Sequence, residues 1–399
     1  MPEYLAPGVY VEEVSFRSKS IEGVPTSTTG FAGMTRYGPV LYPNGPRTVE
    51  PRLITSFTEF ESVYGDLTVL RAPTNADERL SYVAHAARAF FMNGGTRLYI
   101  ARVFSPRGVS PHFDYGVATL PISVSGTTVT WTARWPGAYG NAWITVQVNR
   151  TKNVAYQDSD YGGAVQVTGA KQGSIVEIIP SGTTPPAGNA PLVLGTLAQI
   201  TIDPNDERQI FNRGGATFSP NPTDVIQNVT LRVIVTTDDD NSKMYDAVET
   251  DPATKRYIAK ILQADNPEDE NCVVWLNWDP TTATGNDVAA NLMVALQANS
   301  DQRLANGHDG VVASAADLQG MDADPDDPSK KATGLAALGE VDDIAIVALP
   351  DAGALDDFDE TVTATEALIS HAELLRYRIA VVDPPPGCSM TQIRQFRGQ

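Results

Sequence analysis

Leu80, Val83, Ala84, Ala87, Phe90 and Phe91 recur at the spacing of one helix face, and Gly94-Gly95 supplies a stop behind them. The spacing predicts a helix there and a strand over 97–103, where the period shortens. Residues 4–14 read as an arm with a single strand: Pro7-Gly8 is a hinge, Val9-Tyr10-Val11-Glu12-Glu13-Val14 has strand character, and a polar segment follows. Over 106–230 charge thins out and Thr, Gly, Pro and Val dominate. Alternating runs at 129–133 and 142–148 predict a hairpin whose connection is Trp135-Pro136-Gly137-Ala138-Tyr139-Gly140-Asn141. From 231 onward, strand-like runs at 231–236, 272–278, 344–349 and 379–382 alternate with helical patterns. That is the order of an α/β fold with a largely parallel sheet. Asp251 followed by Pro252 predicts a helix start, and Ala364, Leu368, Ile369, Ala372 and Leu375 mark one face of a helix over 361–378. The acidic, proline-broken run 322–327 predicts an exposed loop.

These patterns divide the chain into an N-terminal arm (1–22), a first part of an α/β core (23–105), an inserted β-rich domain (106–230) and a second part of the core (231–399). The length of 399 residues suits two or three domains. Charge narrows the partners. With Lys plus Arg at 29 and Asp plus Glu at 48, the net charge of −19 repels phosphate backbones and argues against nucleic-acid binding. Apolar runs such as 344–349 fall well short of the roughly 18 residues of a membrane helix, so no membrane insertion is expected. Met1-Pro2-Glu3 opens neither the basic nor the apolar region of a secretion signal, so the chain is expected to stay where it is made unless it leaves inside a larger particle. Cys272 and Cys388, the two cysteines, are expected to be unpaired thiols.

Candidate chemistry is sparse. The sequence carries no G-x-x-x-x-G-K-[ST], H-E-x-x-H, G-x-S-x-G or C-x-x-C motif, so neither an enzyme nor a cofactor or metal site is expected. His85, His112, His308 and His371 read as surface or core residues. Asp351 and Asp383 each follow an apolar strand, where α/β enzymes place working groups, so a hydrolase built on them is the enzymatic alternative. An Asp there also caps a helix or turn, and Asp383 runs into Pro384-Pro385-Pro386. Asp238-Asp239-Asp240-Asn241 starts like a calcium loop but lacks the later Gly and Glu, and reads as a solvated turn. His308 and Asp309 are neighbours that point apart in extended chain, with Gly307 and Gly310 as turn residues. Trp131, Trp135 and Trp143, if exposed on one face, would make a glycan- or protein-binding surface. The arm residues Tyr4, Leu5, Pro7, Gly8, Val9, Tyr10, Val11, Glu12, Glu13 and Val14 must either pair within their own chain or lend a hydrogen-bonding edge to another.

A set of dispersed motifs adds a family resemblance. They are Pro7-Gly8-Val9-Tyr10-Val11-Glu12-Glu13, Gly30-Phe31-Ala32-Gly33 with Gly38-Pro39, and Ile54-Thr55-Ser56-Phe57 leading to Phe60 and Tyr64-Gly65. Phe90-Phe91-Met92-Asn93-Gly94-Gly95 leads to Arg102-Val103; Pro136-Gly137-Ala138-Tyr139-Gly140-Asn141, Gly334-Leu335-Ala336-Ala337-Leu338, Leu349-Pro350-Asp351 and Val381-Val382-Asp383-Pro384-Pro385 follow. In their order and spread the chain resembles the sheath proteins of contractile phage tails and bacterial contractile injection systems. The resemblance implies a subtilisin-like α/β domain without catalytic activity, carrying an outward-facing β-rich insert. It implies a subunit that stacks as hexameric rings around an inner tube, between baseplate and terminator or cap proteins, and contracts to drive the tube through a target envelope. It also implies that residues 4–14 complete a sheet on a neighbouring subunit. Such proteins continue past the Asp-Pro-Pro segment into a tube-contacting C-terminal region. The sequence stops at Gln399, which reads either as a fragment or as a shortened variant.

Overall fold

A computed structural model describes residues 27–72, 78–355, 357–385 and 387–398. The arm, including Tyr4 through Val14, lies outside the described residues. Strand Thr29–Met34 sits at the centre of a five-stranded sheet. It pairs in parallel with Leu98–Val103 on one side and Ile346–Ala348 on the other, and Ile346–Ala348 pairs in parallel with Ile379–Val381. The short strand Arg52–Ile54 runs antiparallel along Leu98–Val103. Because successive strand residues face opposite sides, Phe31, Leu98, Ile100 and Ala348 meet helices Phe57–Tyr64 and Tyr82–Met92. Ala32, Ala101, Val103 and Val347 meet helices Ala315–Gln319, Gly334–Gly339 and Phe358–Leu375 on the other face. The result is a mixed α/β fold in three layers.

Local chemistry starts these helices where the sequence allows. Ser56 accepts from the Glu59 N–H, Ser81 accepts from the Ala84 N–H, and Ser314 with Asp317 forms a reciprocal capping box. Leu80 therefore falls just before its helix. In Phe358–Leu375 the inward face is Thr361, Ala364, Thr365, Leu368 and Ala372, while Ile369, expected on that face, is 41% exposed.

The second unit is antiparallel. Strand Val225–Thr236 is the spine of an eight-stranded sheet, pairing with Trp143–Arg150, Ile175–Ile179 and Ser242–Val248. A three-stranded sheet of Val274–Asn277, Thr127–Ala133 and Thr119–Val124 shares its core, together with helix Val288–Ala298. Three sequence expectations change here. The runs at 129–133 and 142–148 are not a hairpin: each joins a different sheet, and the segment between them crosses from one to the other. The boundary expected at 230 falls inside Val225–Thr236, and the strands at 231–236 and 274–277 pair antiparallel in this unit. Alternation specifies a half-buried strand but not its partner, so remote pairing decides. Asp251-Pro252 opens a turn instead of a helix, with the Asp251 carboxylate accepting from the Ala253 N–H at 2.8 Å; the helical turn comes later, at Ile258–Ile261.

Candidate functional site

The two units meet at a buried polar junction. Arg102, near the carboxyl end of strand Leu98–Val103, is 4% exposed and donates from Nε to the Thr35 carbonyl at 3.2 Å. Its Nη1 reaches the Gly38 carbonyl at 2.8 Å and its Nη2 the Pro136 carbonyl at 2.9 Å. One guanidinium thus ties the exit of the central strand to the 136–141 connection of the β unit. Burial pulls the Arg102 pKa down to about 10, with Asp309 opposing. Asp309, also buried, accepts from the Arg71 N–H at 2.6 Å and the Ala138 N–H at 2.8 Å. Burial pushes its carboxyl up, against the pull of those N–H groups and of Arg102 and Arg36.

Around this centre the packing is equally specific. Arg36 pairs with Asp66 at 2.9 Å and lies 5.2 Å from the Tyr139 ring centre. The Tyr37 hydroxyl donates to the Val273 carbonyl at 2.8 Å and accepts from the Trp135 N–H at 3.3 Å. Asn141 exchanges two hydrogen bonds of 2.9 Å with the backbone of Gly307. Gly137 has φ +137, and a Cβ there would sit 2.6 Å from the Arg36 carbonyl oxygen, so the turn needs glycine. A buried carbonyl left without a donor costs about 1–3 kcal/mol. The junction therefore resists shear between the units.

A second feature lies at the carboxyl end of the core sheet. The chain reaches Leu98–Val103 from Thr29–Met34 across one sheet face, and Ile346–Ala348, on the other side of Thr29–Met34, across the opposite face. The crevice at this reversal has a volume of about 340 Å³ and is lined by Met34, Leu80, Tyr82, Val312, Asp351 and Leu355, among others. Asp351 is 7% exposed, accepts from the Met34 N–H at 2.5 Å, and has its pKa raised to about 7 by burial. Asp383 is exposed and does not line this crevice. Its Cβ lies beside Gly353, two residues after Asp351.

The other sequence candidates resolve locally. Trp131 is fully buried and Trp135 nearly so, leaving Trp143 half exposed, so they do not form one binding face. Asp238 to Asn241 form the turn of a hairpin, where Asp238 meets Arg303 at 2.5 Å and Arg71 at 3.6 Å. His308 accepts from the Gly310 N–H at Nδ1 and lies 3.1 Å from the Asp114 carboxylate through Nε2, while Asp309 turns to other partners. Cys272 and Cys388 are free thiols. Among the described residues no group of three or more His, Cys, Asp or Glu could hold a metal, and no helix is long and apolar enough to cross a membrane. Sequence reading did not single out Asp309 as a junction residue, and gave Arg102 no role of its own. The available signal for Arg102 was an arginine inside the otherwise apolar strand 98–103. No protein-family model matches the chain, and no curated protein matches it.

Proposed function

We propose that this chain is a structural subunit of a contractile sheath, polymerising in hexameric rings around an inner tube and shortening to drive that tube through a target envelope. The supporting observation is that residues carrying the resemblance, scattered from 30 to 384, meet one another. A Cβ on Gly30 would contact Leu338, one on Gly33 would strike Asp351, and one on Gly38 would lie 2.5 Å from Tyr64. Phe31 packs edge-on against Phe90 at 6.2 Å, and Arg102 holds Gly38 and Pro136. One on Gly353, beside the Leu349-Pro350-Asp351 motif, would lie 3.3 Å from the Pro384 carbonyl oxygen. Close approaches of this kind make a stiff frame, which is what a subunit needs if contraction is a rearrangement between rigid bodies. In this reading the core is a subtilisin-like domain serving as that frame.

The arm, through Tyr4, Leu5 and Pro7 to Val14, would join neighbours by lending its backbone to a sheet of another subunit. Net hydrogen bonds of about 0.5–1.5 kcal/mol each make one such link weak and an array of them strong. The chain would assemble in the bacterial cytoplasm, contact baseplate and cap proteins at the ends, and form part of a virion tail or an injection particle. The test replaces the native copy with one lacking residues 1–20. The expected result is a folded chain with unchanged far-ultraviolet circular dichroism and particles without ordered sheaths. Normal sheaths in electron micrographs would refute the arm's role.

A further inference from the structure

The crevice at the reversal of the core sheet is unused by the sheath reading. Its walls combine the apolar side chains of Met34, Leu80, Val312 and Leu355 with nearly as much polar surface, and its one deeply buried charged group is Asp351. One Asp351 oxygen is held by the Met34 N–H; the other takes no hydrogen bond among the described residues, and Asp351 is in no ion pair among them. Gly33 makes room for this carboxyl, because a Cβ there would collide with Asp351 Oδ2. The backbone thus leaves space for a carboxylate at the end of a slot, in the place where open parallel sheets bind ligands.

We propose that this crevice binds a small aliphatic amine, with its ammonium group paired to the Asp351 carboxylate and its short apolar body against Met34, Leu80 and Leu355. A carboxylate removed from water and given a single N–H partner gains most from a cationic ligand that replaces the lost solvation. The slot favours an ammonium with a hydrocarbon body over a fully hydrated inorganic cation, which would find one buried carboxylate and little other oxygen ligation beside the side chains of Met34, Leu80, Val312 and Leu355. The other polar groups at the crevice are Glu78 and Arg79 on a short strand and Tyr82 at the start of a helix, and none bonds to Asp351.

The pairing has a definite pH signature. Asp351 is half ionised near pH 7 in the free protein, and a primary ammonium stays charged well above that. Binding therefore tightens as pH rises, by about tenfold between pH 6 and pH 8. The probe is n-butylamine, titrated calorimetrically into the full-length chain, with n-butanol and butyrate as uncharged and anionic counterparts. The expected result is saturable binding of n-butylamine alone, tightening with pH and weakened at least about thirtyfold by Asp351→Asn. Leu80→Trp, at an exposed rim position, fills the slot with Asp351 intact and should abolish binding in a folded protein. Equal binding of n-butanol, no binding at pH 8, or retention of affinity in folded Leu80→Trp would overturn the proposal.

Discussion

Two buried arginines show how the units differ. In the β unit, Arg150 meets Glu177 at 2.6 Å, with both side chains 3% exposed, and the pair links Trp143–Arg150 to Ile175–Ile179 across the strand Val225–Thr236 that lies between them in one sheet. In the core unit, Arg102 meets three carbonyl oxygens from two chain segments, the exit of the central strand and the 136–141 connection, with no ion pair of its own among the described residues. The first holds a sheet to itself; the second holds one unit to another. The apolar interiors are also closed differently. The core sheet separates two clusters, one under each helical layer, whereas in the β unit one cluster lies between the two antiparallel sheets and a second, with Val176, Ile200, Phe211 and Ile226, lies on the other face of the larger sheet. A frame made this way moves as one body only while its polar junction is intact.

That contrast can be broken in steps. All five tryptophans lie in the β unit, so their fluorescence reports that unit, while far-ultraviolet dichroism is weighted toward the helices of the core. Arg102→Ala strands three carbonyls and should cost about 5 kcal/mol, splitting a single urea transition into separate fluorescence and dichroism transitions. Coincident curves would mean that the junction does not couple the units. Trp131→Ala removes the largest fully buried side chain and should cost about 4 kcal/mol, with the fluorescence transition moving first. Asn141→Ala deletes only the two bonds to Gly307 and should cost about 1–2 kcal/mol, read as a shift of the urea midpoint at unchanged slope. Smallest is Arg303→Gln, which breaks a half-exposed pair with Asp238 and the Nε bond to the Asn141 carbonyl; about 1 kcal/mol is expected, part of it lost in high salt.

The core was the more legible unit because its information is local. Ser81, the apolar spacing through Phe91 and Gly94 state a helix within fifteen residues, and Leu98–Val103 follows directly. In the β unit, the run at 231–236 looks the same whether its neighbours are parallel or antiparallel, and its partners lie as far away as residue 143. The 136–141 connection was visible as a turn, yet that it crosses between sheets depends on Asp309 and Asn141 finding partners more than 100 residues distant. Asp351 was legible as a strand-end carboxylate; its burial, and the separation of Asp383 from its crevice, required the packing of the whole sheet.

The most direct measurement is immunogold electron microscopy of particles from cells that make this protein, using an antibody against the exposed 322–327 loop. A sheath subunit predicts gold along the full length of a shaft, with the labelled length shortening when the particle contracts. Label confined to a tip, or found only on unassembled protein while shafts stay bare, would contradict it.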